Sequence, residues 1–445
     1  MVMEIILSLA YTTFFVFLIQ KIRFFELSGI SKKWVIGTFL LKVIAGFTVW
    51  AIYTFYYTDR ATADIYKYFD DSKVIFDALK TNPSHYFAML TGIGNDGGDF
   101  NQYYNQMNFW ARAHDTNVLN DSHTIIRFNA LVRLFSMGYF NVHTVFMCFL
   151  SFIGLVAIYK TFSEFLIDKK KELFFVVFLL PSVLFWGSGV LKEGILFFAL
   201  GVMIYYFNRL FELKAFIIVV SMAFLLGFSK FYVWLSLLPG LVFQLWINKT
   251  GAQKVGLKFI TVVLVLGTIG FNIDRIIHIQ NPLVTLSQKQ LEFNKLASGE
   301  MTDMTGKPIP IANSAIHINK LEPTFVSFVK NIPQAVSNVL LRPFPWEMNS
   351  IIMLMAGFEN MLIIAIMLLC LYFIAPFKQL PWHLLLFCLS FVIIQFIVIG
   401  EITPIIGAIA RYRTPTLPFL LIAFLLVLDK QKLVSKLPFL KRILN

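Results

Sequence analysis

Charged residues are scarce in this 445-residue chain. Asp, Glu, Lys and Arg make up 14% of it, against about a quarter in an ordinary soluble domain. A conventional water-soluble globular protein is thereby excluded. Cysteine is nearly absent too. Cys148, Cys370 and Cys388 each lie in an apolar run with no metal-ligand spacing, which excludes a disulfide framework or a zinc module. Thiols in such runs behave as small hydrophobes. The seven histidines are scattered. The N-terminal stretch lacks a basic n-region and an A-x-A site, so it reads as a retained span. No repeat relates the two halves, which disfavours a transporter built from repeats. The formal charge of +13 would suit nucleic acid in a soluble protein, yet no basic-aromatic module accompanies it.

What is abundant is apolar. Hydrophobic residues reach 58%, with 49 Phe. Crossing about 30 Å of hydrocarbon takes roughly 20 apolar residues. Runs at 5–18, 34–57, 142–158, 361–374, 384–399 and 417–428 meet or approach that length. The reading is an all-α polytopic membrane protein, a single transmembrane domain over 1–445. About eleven helices are expected, near 3–20, 34–57, 139–162, 173–187, 194–208, 214–229, 231–247, 257–274, 349–374, 382–400 and 414–429. Phe is well tolerated in lipid, so the aromatic content reads mainly as lipid-facing surface.

Lys and Arg in short loops set orientation. They collect at Lys21, Arg23, Lys32 and Lys33, at Lys169, Lys170 and Lys171, at Arg209 and Lys214, and at Lys249, Lys254 and Lys258. Lys378 and the tail, including Lys430, Lys432, Lys436, Lys441 and Arg442, complete the set. An odd helix count then places the N-terminus outside and the C-terminus in the cytoplasm. Two large extracytoplasmic loops follow, 58–138 and 275–348. Loops of that length usually carry function.

In the first loop, Ile65, Tyr68, Phe69, Ser72, Ile75, Phe76 and Leu79 recur at helical spacing. This predicts an amphipathic helix on the membrane surface, with Asp64, Lys67 and Asp71 sharing its polar face. Ile125, Phe128, Val132 and Phe135 predict a second, with Arg127 and Arg133 off the stripe. The second loop carries Pro282, Pro308, Pro310 and Pro323.

Asp64 is the leading candidate for a catalytic carboxylate, with Asp59, Asp70 and Asp71 nearby. Clustered carboxylates raise one another's pKa or bind a cation, and either suits acid/base work. The plainer reading is helix capping by surface acids. At 181–193, Lys192 and Glu193 stand at a tight turn between short apolar runs. A lysine aimed at a phosphate and a glutamate orienting it is one reading. The other is an interfacial ion pair, with Glu193 satisfying a helix N-terminus. Lys230 is a further phosphate candidate. Arg411 and Arg413 precede the last helix, whose N-terminus favours anions. Arg342, Trp346 and Glu347 form a similar group, with an interfacial anchor as the plainer reading. Glu359 lies about 15 Å along the ninth helix. An intramembrane acid is a functional hypothesis by default, and Lys42 is its candidate partner.

Asp64-Ile-Tyr66, the Pro-Ser…Phe-Trp-x-Ser-Gly…Lys-Glu hairpin at 181–193, Arg-Pro-Phe-Pro-Trp-Glu at 342–347 and Arg-Tyr-Arg-x-Pro-x-x-Pro at 411–418 together carry a resemblance. In order and topology the chain resembles integral-membrane glycosyltransferases of the GT-C superfamily, especially bacterial ones using polyprenyl-linked sugars. The resemblance implies a polyprenyl phosphate or diphosphate sugar donor and a saccharide or protein acceptor. It implies a site on the extracytoplasmic face of a bacterial inner membrane, within surface polysaccharide or glycoconjugate assembly. Asp64 would be the base, with Asp71 and Glu193 as further catalytic candidates. Lys192, Lys230, Arg342, Trp346, Glu347, Arg411, Arg413 and Tyr66 would contact substrate. A divalent cation remains open, with no metal ligand assigned. Many members place an Asp or Asp-x-Asp directly after the first span; here the acidic loop follows the second and no Asp-x-Asp occurs in it.

Three other readings compete. A Wzy-like polymerase or ligase of lipid-linked oligosaccharides would grip diphosphate with arginines and tolerate loss of Asp64. A transporter or flippase would need charges near the bilayer midplane, where Glu359 and Lys42 are the best candidates. A non-catalytic assembly subunit would use its outer loops to bind partners.

Overall fold

A computed structural model describes residues 2–57, 59–60, 63–110, 120–302 and 311–438. Pro308, Pro310, Lys441 and Arg442 lie outside the described residues. Among the described residues the chain is helical and forms no β-strand. Seven helices among the described residues are long and apolar enough to cross a membrane. The protein is an all-α membrane protein of several spans.

The chain divides into two compact units: 1–164 with 177–231, and 165–176 with 232–445. In the first unit α1 is Val2–Lys21 and α2 is Lys32–Ala51, which continues as a π-helical turn over Ile52–Tyr56. Then come α3 (Asp64–Thr81), α4 (Pro83–Thr91), α5 (Ser122–Ser136), α6 (Phe140–Ser163), α7 (Pro181–Trp186) and α8 (Lys192–Phe207).

Helix α6 is the centre of this unit. It packs most extensively on α8, and also on α1 and α2. Glycine decides the α6–α8 contact. A Cβ on Gly154 would stand 2.0 Å from the Phe197 carbonyl oxygen, and one on Gly201 would stand 2.0 Å from the Gly154 carbonyl oxygen. Small residues allow such backbone approach where packing rather than water exclusion drives helix association. On the other side, Phe15 of α1 stacks on Phe149 with ring centroids 4.1 Å apart. Glu4 accepts from the backbone N–H and side-chain amide of Asn141, at 3.1 and 3.0 Å. A carboxylate thus meets the positive end of α6.

The two helices expected on the membrane surface pack against each other: α3 lies along α5. The expected sidedness needs correction at three residues. Asp71 is 1% exposed, so it does not share the solvated face of Asp64 and Lys67. Arg133 points inward, with its Nε donating to Ser72 Oγ (2.8 Å) and its Nη2 to the Phe69 carbonyl (2.6 Å). Its guanidinium lies 4.1 Å from the Phe69 ring. Phe135, expected on the apolar stripe, is exposed at 49%. A polar side chain that satisfies backbone groups on a neighbouring helix can occupy a buried face, and apolar residues then turn outward.

Helix α9 (Leu213–Thr250) runs through the segments expected as separate spans at 214–229 and 231–247. Its helical dihedrals fail at Lys230 alone, so the expected break is present as a kink. The Phe228 carbonyl, two residues before the break, accepts from Thr124 Oγ1 of α5 at 3.1 Å. The segment expected at 173–187 is likewise interrupted, with Lys170–Phe178 ending before Pro181 opens α7.

In the second unit follow α10 (Val255–Phe271), α11 (Phe325–Leu341), α12 (Ile351–Tyr372), α13 (Trp382–Ile402) and α14 (Ile406–Val427). Helices α11 and α13 meet where a Cβ on Gly400 would touch the Ala335 backbone at 2.2 Å. Lys169 donates to the carbonyls of Leu425 and Leu428 at 2.9 and 2.6 Å. It thereby closes the C-terminal end of α14, where a cation is favoured.

Candidate functional site

A groove of about 340 Å³ opens where α2 ends, lined by Tyr53, Tyr57, Asp59, Ala63 and Asp64. The π-helical turn places it there. One extra residue per turn shifts the register of Tyr53 and Tyr57 relative to α2, and such turns recur at functional sites. The two tyrosine rings lie 5.5 Å apart. Partial burial and the neighbouring Tyr56 push the Tyr57 phenol above its usual pKa, so it stays a protonated donor. Asp64 opens α3 and is half-buried, while Asp59 is exposed.

Tyr66 does not line the groove. It is 4% exposed, its hydroxyl hydrogen-bonds Thr54 Oγ1, and the Arg60 guanidinium lies 4.1 Å from its ring. Arg60 also pairs with Asp70 at 2.6 Å. Both partners are half-exposed, and such surface pairs contribute little stability.

Asp71 does not line this groove. Its carboxylate accepts from the backbone N–H groups of Asn108 and Phe109, both at 2.7 Å, and from the Asn108 side chain at 3.2 Å. It fastens the loop after α4 to α3. Burial pushes its carboxyl above the usual range, against the lowering by Asn108 and Phe109.

Lys192 pairs with Asp121, and Glu193 pairs with Lys230. Lys192 Nζ is 2.7 Å from Asp121 Oδ1 and donates to Ser122 Oγ at 3.2 Å. Its ammonium lies 5.4 Å from the Tyr68 ring. Glu193 pairs with Lys230 at 3.4 Å. Lys192, Glu193 and Lys230 are all buried. The glutamate holds the lysine of the α9 break. Each positive charge already has a carboxylate partner.

In the second unit Arg413 is 1% exposed. Its Nη1 donates to the carbonyls of Val339 and Arg342 at 2.5 and 2.9 Å, at the C-terminal end of α11. Glu359 supplies the opposing charge nearby. Arg411 is half-buried, so the two arginines occupy different environments. Arg342 is paired with Glu347, which also accepts from the Phe344 N–H at 2.8 Å. Trp346 is 77% exposed and stacks on Phe344, as an interfacial anchor would.

Among the described residues no group of three His, Cys, Asp or Glu side chains is placed to hold a metal ion. The sequence reading gave no role to Tyr53, Tyr57, Arg60, Asn108, Asp121 or Arg133. Asp121 had a legible signal: Asn120-Asp121-Ser122 before an apolar-periodic run marks a helix start. Asn108 and Arg133 gave none, because their partners are distant in sequence. No family model, no curated protein and no solved structure matches the chain.

Proposed function

We propose that this protein is a membrane-embedded glycosyltransferase, with the groove at the end of α2 as its reaction site. The observation that carries the reading is the pairing of two tyrosines and two carboxylates in one open groove beside a membrane-crossing helix. Aromatic faces suit sugar rings, and a carboxylate suits activation of a hydroxyl. The donor in this reading is a polyprenyl-phosphate-type sugar that reaches the groove from the bilayer. The acceptor hydroxyl oxygen bonds to the anomeric carbon as its proton passes to Asp64. The anomeric C–O bond breaks, and its electron pair leaves with the polyprenyl phosphate. Asp59 supports the local charge.

Asp71, Glu193, Lys192 and Lys230 then act as positioning residues, since each is itself buried and committed to a protein partner. Within the second unit, taken by itself, Arg411 is retained as a candidate for lipid-phosphate binding, with Arg342, Trp346 and Glu347 as further candidates. The topology belonging to this reading has eleven crossings, the N-terminus outside and the C-terminus in the cytoplasm of a bacterial inner membrane. It turns the groove to the extracytoplasmic side, because α2 begins among the basic residues Lys32 and Lys33.

The test is release of polyprenyl phosphate from a short-chain polyprenyl phosphate sugar by protein in lipid nanodiscs, with cell-envelope extract as acceptor. General acid–base groups contribute about 10²–10⁴-fold. Asp64→Asn is expected to lose at least about 100-fold at unchanged Tm. Undiminished turnover in Asp64→Asn would favour the Wzy-like reading; no binding or turnover by the wild type removes the transferase reading.

A further inference from the structure

Three lysine-bearing segments converge in the second unit. The chain after α12 runs beside the chain after α14. Ala375 N–H donates to the Val427 carbonyl at 2.8 Å, and Asp429 N–H donates to the Phe373 carbonyl at 2.7 Å. Lys430 Nζ donates to the Asp168 carbonyl at 2.7 Å and pairs with Glu172 at 2.8 Å. With the Lys169 bonds to Leu425 and Leu428, these contacts gather residues 168–172, 373–382 and 428–436.

Three helices long and apolar enough to cross a membrane end here. Helix α12 ends at Tyr372, α13 begins at Trp382 and α14 ends at Val427. Tyr372 and Phe377 are 77% and 69% exposed. Trp382 Nε1 donates to the Phe377 carbonyl at 3.0 Å, and the two rings lie 4.5 Å apart. Tyr and Trp at the ends of crossing helices sit at headgroup level. The lysines beside them therefore stand among lipid headgroups.

The three segments hold seven lysines and three acids, a net charge of +4. Two of the acids are engaged by the protein itself. Glu172 holds Lys430, with side-chain exposures of 12% and 14%. Asp429 caps the short helix Lys430–Lys436 by accepting from the Lys432 N–H at 2.9 Å. Lys171, Lys378, Lys432 and Lys436 are exposed, against Asp168 as the exposed acid. Insertion sorts lysines to one side of a bilayer, but sorting does not require three separate segments to bring theirs together. A positive surface at headgroup level is complementary to anionic lipid, which attracts basic groups within a Debye length.

We propose that residues 168–172, 373–382 and 428–436 form a binding surface for anionic phospholipid headgroups. Lys171, Lys378, Lys432 and Lys436 supply the charge, while Tyr372 and Trp382 set the depth. The surface belongs to the second unit alone and does not depend on the transferase reading.

The experiment places the full chain in nanodiscs of phosphatidylglycerol and phosphatidylcholine in equal parts. The protein is then extracted in detergent, and the lipids it retains are counted by native mass spectrometry. The wild type is expected to retain phosphatidylglycerol in preference, less so as salt rises. Lys378→Gln with Lys432→Gln is expected to lower that preference by about fivefold for each lysine removed. Arg23→Gln with Lys33→Gln removes the same charge from exposed positions in the first unit and is expected to leave the preference unchanged. Should the lysine pair not fold, Lys436→Gln alone is read in its place. Equal retention of the two lipids by the wild type overturns the proposal. So does an equal loss of preference in the control pair, which would assign the effect to total charge.

Discussion

Lys230 reaches Glu193 across 3.4 Å, with side-chain exposures of 7% and 0%. The break in α9 exists at the residue that makes this contact. Removing one partner leaves a buried charge uncompensated, which costs about 3–5 kcal/mol. Glu193→Gln and Lys230→Met are each expected to lower stability by about that amount. The double variant should recover part of it, because no charge is then stranded. Denaturation of the four proteins measures the coupling, and strict additivity would contradict it.

Asp71 makes stability depend on pH. Burial raises its carboxyl in the folded chain, so the folded state holds the proton more tightly than the unfolded state. Its contribution is full below the ordinary carboxylate value, near pH 4, and is lost as pH rises through the raised value. Asp71→Asn cannot titrate. Its Tm is expected to fall less between about pH 4 and neutrality than that of the wild type. Equal slopes in the two proteins would refute the assignment.

Gly154→Ala places a methyl where the Phe197 carbonyl stands 2.0 Å away. Backbone cannot move aside as a flexible side chain can. The variant is expected to lose at least about 3 kcal/mol, the upper end of ordinary overpacking. Recovery of monodisperse protein and its Tm are the measures. Gly227→Ala, where a Cβ meets nothing within 4 Å, is the matched control and should be neutral or better.

Arg413 holds two carbonyls at the end of α11 with one nitrogen of a planar group. A lysine lacks the planar group that fixes this nitrogen between the two carbonyls. Arg413→Lys is expected to cost about 1.5–3 kcal/mol, the range for hydrogen bonds to charged groups. Arg411→Lys is expected to change phosphate-lipid binding more than Tm. A Tm loss in Arg411→Lys as large as that in Arg413→Lys would erase the distinction drawn between them.

The membrane character of the chain was legible because hydropathy over 20 residues is a local property. The break at Lys230 was legible for the same reason: a charge between two apolar runs marks a place where helix continuity is expensive. The fates of Asp71 and Arg133 were not. Periodicity assigns polar residues to the solvated face, and it cannot register an acceptor satisfied by backbone 37 residues away or a guanidinium bound 61 residues away. The groove was half legible. Asp59 and Asp64 announced themselves as acids after a span, whereas Tyr53 and Tyr57 looked like lipid-facing rings until the π-helical turn brought them to the same opening.

Asp121, Lys192, Glu193 and Lys230 form two ion pairs joined through adjacent residues. Two positive and two negative charges sum to zero. A transmembrane voltage does work of about 2.3 kcal/mol per elementary charge per 100 mV across the full field, but it acts on net displaced charge. Moved as a body, this quartet is electrically silent at any depth. Energising or depolarising the membrane should therefore leave the α8–α9 junction undisturbed, so that the fold there is insulated from the electrical state of the cell.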